Sequence, residues 1–220
     1  MHKLNYFLSV LLVLLMSLVI VFFSSNLVLR MSTTYLFHFN DSEVMYEIPY
    51  SVTGSDMAKE ITSYFTSFSD KPFQVYEDNR IFKDPIMEKE DQQVMKKVKT
   101  ILAIELAAGL VSLAGFLGIY IYLYKKNFKE ALRNRVKVGI GLTALLVAGR
   151  VVAVCLKGCR VWAYNKFIGV NLPEFSIIKI ILGDPFYQTY ILFATLAAVI
   201  FTGIVVFIHY KLTKPERIFY

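Results

Sequence analysis

LLVAGRVVAV, residues 145–154, is an apolar stretch with an arginine at its centre. It holds none of the prolines, asparagines or alternating polar residues that would mark a turn or a half-buried strand. Read outward from Arg150, the apolar run extends over residues 138–156. That is close to the roughly 20 residues a helix needs to cross a hydrocarbon core about 30 Å thick. A lone charge inside such a helix costs about 2.5–3.5 kcal/mol on insertion scales. A partner or a wet cavity must offset that cost.

Three further runs have the same character, and together they predict an all-α membrane protein. Residues 7–29 carry no charge, residues 100–124 one charge (Glu105), and residues 189–210 a single histidine, His209, near their end. The chain is 220 residues long and 56% hydrophobic, with a mean hydropathy of +0.51, too apolar for an ordinary soluble domain. The first run exceeds the usual ~7–15 residue core of a signal peptide, and FFSSNLVL has no small-residue cleavage site. It therefore reads as an anchor.

The segments between the runs divide by charge. Residues 125–137, KKNFKEALRNRVK, hold six basic residues against Glu130 alone, and the tail at 211–220 adds Lys211, Lys214 and Arg217. The positive-inside rule puts both on the cytoplasmic side with the amino-terminal residues 1–6, in a plasma membrane. The net charge of +7 is then an orientation signal and an attraction to anionic lipid, not a nucleic-acid surface.

Residues 30–99 and 157–188 fall outside. The first carries twelve of the seventeen acidic residues and is predicted to be a small extracytoplasmic α+β cap between spans one and two. TTYLFHF reads as an extended stretch. SDMAKEITSYFTSF reads as a helix capped by Ser55, with Met57, Ile61, Tyr64, Phe65 and Phe68 on one face. KPFQVYEDNRIF reads as two short strands turning at EDN. DPIMEKEDQQVMKKVKTI starts a second helix, with Asp84 as cap and Pro85 at its first position. That helix runs unbroken into span two, with Met87, Val94, Val98 and Ile101 facing inward. The second segment, 157–188, is aromatic and reads as an interfacial loop. Its Trp162 and Tyr164 are candidate lipid contacts, and PEFSIIKIIL a short helix at the membrane surface.

Chemistry-bearing residues are few. Arg150 lies roughly 20 Å above the cytoplasmic entry of its span, and Glu105 roughly 9 Å below the outer entry of its own. Their matched depth predicts an ion pair. Two readings of it stay open: a clamp between spans two and three, or a polar pocket in which Arg150 meets a phosphate, carboxylate or ester oxygen. Small-residue pairs (Ala108 with Ser112, Ala114 with Gly118, Ala144 with Ala148, Ala194 with Ala198) suit close helix packing. Cys155 and Cys159 read as small buried residues rather than a disulfide or zinc site. No metal or cofactor is expected. His38, in LFHFN, reads as a surface residue.

The order of these parts resembles the family of small bacterial four-span membrane proteins that includes the lipoprotein intramolecular transacylase. MKKVKTI running into span two, the basic inner loop, the aromatic outer loop and GDPFYQ before span four carry the resemblance. It implies acyl transfer at the outer leaflet, from the glyceride of a lipoprotein's terminal cysteine to that cysteine's amino group, using histidine. The family's Glu-x-x-His-Met-x-Asp-Val pattern, laid on DQQVMKKVK, puts Asp91 at the glutamate, Val94 at the histidine and Lys97 at the aspartate. A second family histidine, after span three, falls on Asn165. The chain therefore reads as a divergent or inactive member that handles lipid or lipoprotein acyl groups, with membrane lipid or lipoprotein as its partner. If it is an active acyltransferase, Arg150 would stabilise oxyanion charge, Glu105 would hold that arginine, and Asn165 would orient the substrate carbonyl. The alternative is a non-catalytic membrane interaction subunit whose external cap binds a partner protein or peptide, a membrane protein among the candidates.

Overall fold

The computed structural model describes residues 2–40, 52–79, 82–173 and 176–213. Parts of the expected cap (41–51 and the turn residues 80–81), Glu174, Phe175 and the tail from 214 onward lie outside the described residues. The elements are α1 (His2–Val28), α2 (Ser32–Phe39), α3 (Gly54–Thr66), β1 (Tyr76–Asn79), β2 (Phe82–Pro85), α4 (Lys89–Lys125), α5 (Lys129–Cys155), α6 (Lys157–Phe167), α7 (Ile177–Ile181) and α8 (Asp184–Thr213). Four of them, α1, α4, α5 and α8, are long and apolar enough to cross a membrane. The chain is a helical, multi-pass membrane protein.

Its residues group into two compact units. Unit 1 comprises 1–25, 105–150 and 195–220; unit 2 comprises 26–104 and 151–194.

Unit 1 is a packing of helices around small side chains. A Cβ on Gly139 would stand 3.0 Å from the Met16 sulfur, so α1 and α5 approach closely there. Ser17 Oγ donates to the Gly139 carbonyl at 3.2 Å and accepts from Thr143 Oγ1 at 3.1 Å. Gly109 and Gly115 likewise face Phe22 and Leu15. Of the four pairs predicted to mediate packing, Ala194 and Ala198 are both buried. Ala114, Gly118, Ala144 and Ala148 are exposed. Spacing alone cannot say which small residue faces a neighbour.

The connection between α4 and α5 is only residues 126–128. Asn127 adopts a left-handed conformation, φ 59°, which asparagine tolerates better than most residues. Phe128 N–H then reaches back to the Leu123 carbonyl, closing the helix. Most of the basic residues of 125–137 consequently lie on helical turns rather than in a loop.

Unit 2 has a core of its own around Tyr35, Ile61, Phe65, Phe73, Met95 and Ile178. TTYLFHF is helical in α2, not extended. Threonines and aromatics favour strands locally, but Thr34, Tyr35, His38 and Phe39 recur at helical spacing and all are buried. Thr34 Oγ1 donates to the Val28 carbonyl and the Tyr35 hydroxyl to the Leu29 carbonyl, both at 2.8 Å. In α3 the cap is Thr53, not Ser55: its hydroxyl accepts from Asp56 N–H at 3.1 Å. Met57, Ile61 and Phe65 are buried as expected, whereas Phe68, beyond the helix end, is 96% exposed.

The two predicted strands are present as an antiparallel pair with Tyr76 opposite Pro85. Residues 77–79 belong to β1 rather than to the turn. This two-stranded ribbon is the only β structure among the described residues, so the expected α+β cap is not supported: the unit's core is drawn from helices together with Val52, Phe73, Val75 and Met87 of the connecting segments. Asp84 and Pro85 lie in β2 and do not cap α4. Asp91 does so instead: its Oδ2 accepts from Glu88 N–H at 3.3 Å, the carboxylate half of a capping box. In the predicted inward stripe of α4, Ile101 is exposed and Leu102 is buried in its place.

Residues 157–188 form more than a loop. Helix α5 stops at Cys155, and α6 begins after Leu156 (φ −80°, ψ 110°). The short helix α7 is not laid on a surface, because Ile178 and Ile181 enter the unit's core. A Cβ on Gly183 would stand 1.9 Å from the Lys179 carbonyl oxygen, so only glycine fits the turn into α8.

Candidate functional site

Arg160 organises this part of unit 2. Its Nη1 donates to the Val154 carbonyl at 2.7 Å and the Cys155 carbonyl at 3.2 Å, capping the end of α5. Its Nη2 is 2.8 Å from Asp184 Oδ1, in the first turn of α8. The guanidinium also lies 5.0 Å from the centre of the Tyr187 ring. One side chain therefore joins α5, α6 and α8. Charge reading missed it, because a single arginine in an aromatic segment looks like a solvated residue.

Beside this junction is a cavity of about 1040 Å³. Its wall is mostly apolar and includes residues of α4 (Val94, Val98), α5 (Val154), α6 (Val161) and α8 (Phe186, Tyr190). Three of those four helices are membrane-length. The volume is at the top of the ~300–1,000 Å³ typical of small-molecule pockets. Polar groups are few: Lys157, Lys179, Asp184, Asn171, Tyr164 and Tyr187. The Tyr164 hydroxyl donates to the Val170 carbonyl at 2.7 Å. Burial raises its pKa above the ordinary tyrosine value, and Tyr187 and Asp91 add to the rise. It therefore stays a neutral phenol at pH 7. A smaller cavity of about 430 Å³ shares Val154, Tyr164, Ile168 and Tyr187 with the first and adds Trp162 and Phe167.

The predicted site residues distribute unevenly. Tyr164 lines both cavities and Trp162 the smaller one. Asn165 is exposed and lines neither. Arg150 and Glu105 belong to unit 1 and line neither. Arg150 Nη1 donates to Ser24 Oγ at 3.3 Å. Cys155 and Cys159 are both exposed, free thiols, correcting the expectation that they are buried. The break at Leu156 separates them into two helices.

The positions matched to the family pattern differ in fate. Val94 is buried and lines the large cavity. Asp91, almost wholly buried, accepts from Ser176 Oγ as well as from Glu88 N–H, so it is committed to holding α4 and the segment before α7. Lys97 Nζ donates to the Ile168 carbonyl. His38 is not on the surface: it is 3% exposed, with its ring 5.4 Å from that of Phe186. Among the described residues, neither cavity has a histidine in its wall.

No protein-family model matches the chain, and no curated protein does. Among solved structures, it is similar to the membrane-integral lipoprotein intramolecular transacylase Lit from Bacillus cereus. A form of that enzyme with a histidine-to-arginine replacement superposes with a TM-score of 0.73 at 15% identity, over 97% of this chain and 93% of the other. A histidine-to-alanine form gives 0.68 at 16% identity over the same shares. A third structure gives 0.69 at 14% identity, over 96% and 98%. At such identities what is shared is the backbone arrangement, and this chain has the fold of those transacylase structures over nearly its whole length.

Proposed function

We propose that this protein handles the acyl chains of a membrane lipid or lipoprotein in the large cavity of unit 2, without the histidine-based transacylation of its structural neighbours. The observation that carries this reading is the cavity wall. It is apolar, it takes residues from three membrane-length helices, and it has valine at position 94, where the family pattern places a histidine. Acyl transfer to an amine needs a group that removes the amine's proton, and histidine suits neutral pH best. Among the neighbouring groups, the Asp184 carboxylate is paired with Arg160 and Tyr164 is held neutral.

Expression in cells that lack a lyso-forming enzyme tests this directly, by mass spectrometry of amino-terminal lipopeptides. The expected result is no conversion of diacylglyceryl lipoproteins to the lyso form. Efficient conversion would overturn the reading, and its loss in His38→Ala would identify the base. Histidines restored at Val94 and Asn165 together are expected to rescue little, because Asn165 does not reach the cavity and Lys97 occupies the acidic position of the pattern.

The same proposal sets the orientation in the plasma membrane: residues 125–137 and both termini cytoplasmic, residues 31–98 external. Cys155 and Cys159 are exposed, so they must first be changed to serine. In that background a cysteine at Lys129 should be shielded from an impermeant maleimide in intact cells and react after permeabilisation. Labelling in intact cells would reverse the topology.

A further inference from the structure

The charges lining the large cavity do not balance. Its cations are Lys157, in the first turn of α6, and Lys179, in α7. Among the described residues its one carboxylate is Asp184, held by Arg160 at 2.8 Å. Among the described residues two lysines therefore line the cavity, both of them exposed, with no carboxylate in its wall left to neutralise them. Apart from the neutral amide of Asn171 and the tyrosine hydroxyls, the rest of the wall is apolar or aromatic.

A diacylglyceryl lipopeptide with a free amino terminus would bring a third cation into this setting. A ligand that satisfies both the apolar wall and the two lysines has fatty-acyl chains attached to an anion. We infer that the cavity is a binding site for an anionic glycerophospholipid, its acyl chains among the valines and aromatic rings and its phosphodiester on Lys157 and Lys179. This rests on the reading that the cavity takes acyl chains, and names which acylated molecule it takes. A lysine near an anionic lipid headgroup contributes roughly 5-fold in affinity, so the two together are worth roughly 30-fold.

The chain's single tryptophan is a built-in reporter. Trp162 lines the smaller cavity, which shares four residues with the larger. The full-length protein in mixed vesicles, with bromine on the acyl chains of either phosphatidylglycerol or phosphatidylcholine, reads relative occupancy beside Trp162 by quenching. Brominated phosphatidylglycerol is expected to quench at much lower mole fraction. Lys157→Gln and Lys179→Gln should each reduce that preference roughly 5-fold, and the arginine variants at both positions should keep it. Lys166→Gln, also on α6 but outside the cavity wall, should leave it unchanged, which separates the site from general attraction between a basic protein and an acidic membrane.

Equal quenching by the two lipids would overturn the anionic preference while leaving the acyl-chain reading intact. A preference retained in both glutamine variants, or lost equally in Lys166→Gln, would overturn it too. So would millimolar inorganic phosphate abolishing the preference, since the ligand would then be a free anion. If neither lipid quenched, the acyl-chain reading itself would fail.

Discussion

Arg150→Leu alone is expected to destabilise the protein by about 3–5 kcal/mol, Glu105→Leu by a similar amount, and the double replacement by less than either. The reason is asymmetric. Removing one partner of a buried ion pair leaves an uncompensated charge, whereas removing both leaves only apolar surface. Both residues belong to unit 1 and neither is fully exposed. Arg150 also has Ser24 Oγ within 3.3 Å. A serine hydroxyl can orient a guanidinium but cannot neutralise it; the pairing with Glu105, expected from matched depth, would do so. Denaturant titration in detergent, followed by helicity, gives the four free energies of the cycle. Additive losses would reject the pairing.

The four membrane helices were legible because hydropathy over about 20 residues averages out local ambiguity. In α1, α4, α5 and α8 no single side chain decides the outcome. Shorter elements turned on one or two residues, and there the tertiary structure prevailed. TTYLFHF favours a strand by local preference, yet four buried side chains at helical spacing make it α2. Ser55 was the expected cap, but the helix already begins at Gly54, which puts Ser55 inside its first turn and Thr53 at the cap. Asp84-Pro85 has the composition of a helix start, but it pairs with β1, and the capping carboxylate comes from Asp91.

The site was less legible still, for a physical reason. Its wall is assembled from separate stretches of chain, among them Leu29, Val94, Val154, Val161, Ile178 and Phe186. Each of these is an ordinary apolar residue in its own segment. His38 looked like a surface histidine because its burial depends on Phe186, almost 150 positions away. Arg160 had no acidic partner close in sequence to advertise it: Asp184 is 24 residues on. The aromatic character of residues 157–188 did mark a segment that lines both cavities, Tyr164 in both walls and Trp162 in the smaller one. The unbalanced lysines of the cavity became visible only when the fold showed that Asp184 was already engaged.

The second large effect is the loss of bound lipid when the cavity is filled. Val154 and Val161 line it from α5 and α6, and neither is in the fully buried core. Phenylalanine at both positions should therefore occupy cavity volume without displacing the unit's packing, and an unchanged melting temperature would confirm that the fold survives. Native mass spectrometry of the full-length protein, purified in mild detergent, is the measurement that bears most directly on the central claim. One two-chain acylated molecule should be retained per protein and lost in Val154→Phe/Val161→Phe. A protein that retains no acylated molecule, or a filled variant that keeps the same molecule at the same occupancy, would contradict the account and shift the weight to a cap that binds a partner protein.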